Sequence, residues 1–142
     1  MIKMKKNILF LVLGIIFTII LVTNAFFWKI IMIGGQVFIA ETPLSQAAYE
    51  RGLGGRSGLC QNCAMLFMFS GEKMHAFWMK DMRFDLDILW IKEGKIVYIK
   101  KDFSAHSPEI IKPETPSFDV LEINAGLVEK YGFRVGDSVK IY

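Results

Sequence analysis

Phe77–Ile91 reads FWMKDMRFDLDILWI, and the fold turns on how this stretch is read. Two strand-like runs, Ala76–Met79 and Leu86–Ile91, flank a short charged connection, Lys80–Asp85. The second run is rich in the branched and aromatic residues that pack well on a pleated surface. Yet Asp87 stands within it, between Leu86 and Ile88. A carboxylate there must face water or find a cation or hydrogen-bond donors, because an unpaired buried charge is costly. The stretch therefore predicts a packed strand and places a candidate site around Asp87.

Toward the C-terminus, Lys92–Lys95 joins this strand to Ile96–Lys100 as a hairpin, with Gly94 in the left-handed position. Asp102–Pro116 holds Pro108, Pro113 and Pro116 and is expected to be a long exposed loop. Ser117–Ile123 reads as another strand, with Glu122 repeating the problem of Asp87. Asn124 is expected to cap a short helix, Ala125–Tyr131, stopped by Gly132. Val135-Gly136-Asp137 then turns the chain into a last strand, Ser138–Ile141.

Toward the N-terminus, Ser70–Lys73 reads as a turn, and AMLFMF at Ala64–Phe69 as a strand buried on both faces. Leu53–Gly58 is a Gly-rich reversal that lacks the spacing of a phosphate loop. A helix is expected from Thr42 as N-cap and Pro43 as first helical residue to about Arg51, stopped by Gly52. Val37–Ala40 reads as the first strand. Five to seven short strands and two short helices, joined by hairpin-like links, predict an α+β domain. Its sheet should be small, mostly antiparallel, and curled or closed into a partly open barrel.

The chain has 142 residues, enough for one domain with a real core, and 53% of them are hydrophobic. Part of that excess is local. Three lysines in Met1–Lys6 precede Ile8–Trp28, which only Thr18, Thr23 and Asn24 interrupt with polar groups. In a helix that length spans roughly 30 Å, the hydrocarbon thickness of a bilayer. One reading is a transmembrane signal anchor over about 8–28, followed by an exported domain over 34–142. The other is a cleaved signal peptide, since Thr23-Asn24-Ala25 loosely matches a small-x-small site. The anchor is favoured because the apolar run continues through Phe26–Trp28 and Ile30–Ile33. In both readings the lysines stay in the cytoplasm, and the bilayer is the expected partner of the apolar segment.

The formal charge of +3 depends on this partition. Lys3, Lys5, Lys6 and Lys29 are four of the 17 basic residues, and all 14 acidic residues lie beyond Ala40. The exported part thus carries 13 basic against 14 acidic residues, which leaves no basic surplus for nucleic acid.

Several motifs in series resemble one family. They are Glu50-Arg51-Gly52-Leu53-x-Gly55-Arg56, Met65-Leu66-Phe67-x-Phe69, Phe77-Trp78-Met79-Lys80, Leu86-Asp87-Ile88, Val120-Leu121-Glu122-Ile123-x-Ala125-Gly126 and Gly136-Asp137. In order and spacing they resemble the domain of unknown function 192 family (uncharacterised protein family 0127), over about Val37 to Tyr142. Gly54 stands where that family usually has Met, and Asp81 where Asn is usual. The resemblance implies a compact, β-rich α+β domain, often exported, and brings no activity with it.

Function must therefore be argued from side chains. Arg56, Trp78, Lys80, Asp87 and Glu122, with Asp85 nearby, are the candidate ligand-binding residues. An aromatic face beside charged groups suits a small polar or glycan ligand. The competing reading makes the same charges a network that only fixes the fold, in an accessory or interaction domain of an envelope complex. Cys60 and Cys63, in Cys-Gln-Asn-Cys, are a thiol-redox pair or a disulfide, which an exported compartment permits. Met74, His75, Met79 and Met82 offer soft copper(I) ligands, but clustered Met more often fills a core. Ser104 and His106 lack the pattern of a nucleophile elbow. No catalytic residue, metal or cofactor is expected.

Overall fold

The computed structural model describes residues 10–14 and 28–142. Residues 10–14 are helical, and no helix among the described residues is long and apolar enough to cross a membrane. The rest of the expected anchor, to Phe27, lies outside the described residues. The folded unit begins earlier than expected: β1 spans Trp28–Ile33, six residues ahead of the boundary at 34. Ile30–Ile33 therefore belongs to the sheet and does not extend the apolar span.

After β1 come β2 (Gln36–Glu41), α1 (Gln46–Arg51), β3 (Cys63–Lys73), β4 (Phe77–Trp78) and β5 (Leu86–Lys92). They are followed by β6 (Lys95–Phe103), β7 (Ile110–Ile111), β8 (Ser117–Asn124), α2 (Leu127–Tyr131) and β9 (Val139–Ile141). The main sheet runs β6-β5-β8-β3-β2-β1-β9. It is mixed, because β2 and β3 pair in parallel. Their connection carries α1, the crossover that parallel neighbours need and a hairpin cannot supply.

The two edges of the sheet meet at one end. Ile96 N donates to Asp137 O at 3.0 Å, Gly136 N to Ile96 O at 2.8 Å and Val139 N to Gly94 O at 2.8 Å. The sheet thus curls into a partly open barrel. Alternate side chains point inward along each strand. Ile31, Ile33, Phe38, Leu66, Leu89 and Leu121 pack inside, with Leu127, Val128 and Phe133 from α2 and its flank. The opposite parity of β3, β5 and β8 forms a second core outside the barrel, holding Phe67, Ile88, Trp90 and Val120. Leu53 and Met79 cover that outer core, with Tyr49 of α1 and Phe77 of β4 packed against it.

Local chemistry explains the departures. The N-cap of α1 is Ser45, not Thr42: Ser45 Oγ accepts from Ala48 N at 3.2 Å. Gly52 ends the helix as expected, with φ 51°. Ser70–Lys73 is not a turn, because β3 runs on to Lys73 across an irregularity after Met68. Asn124 does not cap α2. Its side chain donates to the carbonyls of Leu59 and Cys60, and Gly126 holds the N-cap position. Gly94 takes φ 69° in the predicted hairpin.

Candidate functional site

The pleat of β5 and β8 divides the expected charged cluster. Ile88 pairs with Glu122 and Asp87 with Ile123, so the two carboxylates point to opposite faces of the sheet. Asp87 faces inward and is fully buried. It sits opposite a bulge in β6, where the register slips between Leu86 and Ile88. One oxygen accepts from Asp102 N at 2.8 Å and the other from Val128 N at 2.7 Å. Asp87 thus fixes the bulge and holds the first turn of α2, which has no side-chain cap of its own. Asp85 plays a similar part outside, accepting from Ala105 N at 2.7 Å.

Arg56 is engaged elsewhere. Its guanidinium grips Glu41 in two parallel bonds of 2.8 and 2.6 Å. This hydrogen bonding holds the Glu41 carboxyl below its usual range. The pair lines a wide cleft of about 710 Å³, bounded also by Thr42, Arg51 and Gly52.

Glu122, Trp78 and Lys80 do converge. They line a cavity of about 230 Å³ on the outer side of the barrel. Its walls are aromatic: Tyr49 from α1, Phe67 and Phe69 from β3, and Phe77 and Trp78 from β4. Tyr49 Oη donates to Met68 O at 2.6 Å, which ties α1 to β3. Trp90 Nε1 donates to His75 O at 2.9 Å, which draws the start of β4 onto β5. His75 stacks on Phe69 with ring centroids 3.5 Å apart, and burial lowers its pKa, so it is neutral at physiological pH. Arg51 and Lys80 supply positive charge to the lining, and Trp78 is half-exposed.

Glu122 forms part of the cavity lining from a buried position. Burial pushes its carboxyl up to about 8, against a weaker pull from Arg56. Among the described residues Oε2 has no hydrogen-bond partner. Neutral at physiological pH, the acid offers one O–H donor and acceptor lone pairs. The close approach of α1 depends on Gly52, where an added Cβ would lie 3.3 Å from the Phe67 ring and 3.7 Å from Glu122 Oε2. Because Gly52 also has positive φ, Gly52→Ala is expected to lower stability by about 1–2 kcal/mol in denaturant melts. It should also weaken any ligand held against Glu122.

Sequence reasoning did not place Tyr49, Gly52 or His75 at the site. Gly52 was legible as a helix stop and as part of the Glu50–Arg56 family motif, His75 was marked only as a soft copper(I) ligand, and Tyr49 carried no motif. Gly54 has a steric reason of its own: a Cβ there would come 2.8 Å from Arg51 O and 3.2 Å from Lys80 O. Cys60 and Cys63 form a disulfide away from the cavity, across the turn that leads into β3. Met79 is buried in the outer core, and no group of His, Cys, Asp and Glu among the described residues is placed to hold a metal ion.

Residues 29–141 match the model of the domain of unknown function 192 family, described as an uncharacterized ACR. The chain belongs to that family. The match covers the barrel, both helices and the cavity. Among solved structures, the chain is similar to a protein of unknown function from Novosphingobium aromaticivorans DSM 12444. The identity is 27% and the TM-score 0.73, with 80% of this chain and 83% of that one covered. It is also similar to a protein from Sinorhizobium meliloti 1021 that carries the description of a transcription regulator. There the identity is 30% and the TM-score 0.74, with 80% and 92% covered. No curated protein matches the chain.

Proposed function

We propose that this member of the family is a non-catalytic binding module for a small polar or glycan ligand, held in the cavity over Glu122. The domain is anchored to the membrane by the apolar segment 8–27 and stands outside the cytoplasm. The observation that carries the reading is the buried Glu122 carboxyl with an unpartnered oxygen in an aromatic-walled cavity. Buried polar atoms without partners are uncommon, and a ligand hydroxyl would satisfy this one.

Size and charge narrow the ligand class. The cavity, at about 230 Å³, falls below the roughly 300–1,000 Å³ of drug-sized sites. That suits one sugar ring or an amino acid. A neutral acid favours hydroxyl groups over anions, and the Trp78 face suits the apolar side of a ring. Arg51 and Lys80 would receive a carboxylate or phosphate on the same ligand. The transcription-regulator description does not carry over to this chain, because the folded unit, residues 28–142, holds 14 basic against 14 acidic side chains and so has no basic surplus for nucleic acid.

The test is thermal melting of the full chain in detergent with a panel of monosaccharides, acidic sugars and amino acids. A true ligand raises the midpoint with the logarithm of its concentration. Trp78→Ala should melt close to wild type, since Trp78 is half-exposed, and should lose the ligand response. A panel that never moves the wild-type midpoint would overturn the proposal.

A further inference from the structure

The outer core stops short of β1 and β2. On those strands the outward positions are occupied by Trp28, Ile30, Val37 and Ile39, which are 45%, 50%, 46% and 52% exposed. Ile30 pairs with Ile39 and Met32 with Val37, so these side chains form one continuous apolar patch. Exposed Tyr142 borders it, its backbone paired with Ile30. Exposed Lys140 lies opposite Met32. Glu41, opposite Trp28, has its charge taken up by Arg56. Contiguous apolar patches on soluble domains mark contact surfaces.

The position of the patch in the chain says what covers it. In the sequence the apolar residues 8–27 run directly into β1 at Trp28. At about 3.3 Å per strand residue, Ile30 lies roughly 10 Å from the end of that segment. We infer that the outer face of β1 and β2 lies against the lipid surface, with Trp28, Ile30, Val37 and Ile39 in the headgroup region. Trp and Tyr at the edge match the aromatic belts of membrane proteins. Lys140 extends its stem along the patch and its ammonium to anionic headgroups. The inference rests on the anchor reading proposed above, and it fixes one orientation: the barrel lies with β1 and β2 toward the bilayer.

The test uses the full chain in vesicles of phosphatidylcholine and phosphatidylglycerol whose acyl chains are brominated near the headgroups. Trp28 and Trp78 are replaced by Phe, and Ile39→Trp is the reporter, with fully buried Trp90 as constant background. Val37→Trp is a second reporter in case the first disturbs folding. Either reporter is expected to lose most of its emission to the brominated lipid and to resist acrylamide. Quenching by acrylamide and not by lipid would overturn the inference, as would shielding from both, the mark of a second copy or a protein partner. An alkaline wash tests the anchor separately. If the chain washes off, the anchor reading fails, and the reporter at neutral pH still decides whether the face meets lipid.

Discussion

Asp87→Asn is expected to lower the unfolding free energy by about 3 kcal/mol and leave ligand affinity intact. Asp87 is fully buried, and each of its oxygens accepts one backbone N–H. An asparagine can satisfy only one of them and turns its amide toward the other donor. Hydrogen bonds to a charged group contribute about 1.5–3 kcal/mol each, and a buried donor left unsatisfied costs more. The bulge at Asp102 and the first turn of α2 should both loosen. For a domain of this size the melting midpoint should fall by roughly 10 °C. The cavity lies on the other face of the sheet, so ligand affinity measured below the melt should match wild type. A stable Asp87→Asn chain that no longer binds would place Asp87 at the site after all.

Glu122→Gln should change how stability depends on pH. In the unfolded chain a glutamate loses its proton near 4.5, whereas in the native state Glu122 keeps it up to about 8. Between those values the native state binds more protons, so raising the pH favours unfolding. The stabilising contribution is complete below the lower value and is lost as pH climbs to the upper one. At about 1.4 kcal/mol per tenfold change in affinity, the loss approaches roughly 5 kcal/mol. Glu122→Gln removes this dependence. The variant should be about 1 kcal/mol less stable than wild type at acidic pH, because its amide finds no partner. It should be the more stable protein above pH 8. Denaturant melts across the pH range will show whether the two curves cross. Parallel curves would mean that Glu122 ionises in place.

Local chemistry made much of this fold legible. The strand at Leu86–Ile91, the hairpin at Gly94, the helix stop at Gly52 and the strand at Ser117–Ile123 all followed from residue type and short-range spacing. β1 was hidden because Ile30–Ile33 continues an apolar run that reads equally well as membrane span. The parallel pairing of β2 with β3 was hidden because pairing partners are set by long-range contacts. The site was half legible. Two acids in apolar strands were conspicuous, but their separation by the pleat depends on the β5–β8 register, which turns on a single residue. A one-residue slip would have placed Asp87 and Glu122 on the same face. Tyr49 and His75 reach the cavity only because α1 and β4 fold over the outer core, and nothing in their own sequence places them there.

Glu122, a neutral acid whose Oε2 has no partner among the described residues, lines the cavity proposed to hold the ligand. Carbon-13 NMR of the Glu122 side-chain carboxyl, followed through a pH titration of the full chain, tests it most directly. The spectrum is taken free and then with the ligand that raises the melting point most. Half-protonation near 8 is expected in the free protein, with a displaced midpoint in the complex. A midpoint near 4.5, or a resonance that ignores the ligand, would contradict it.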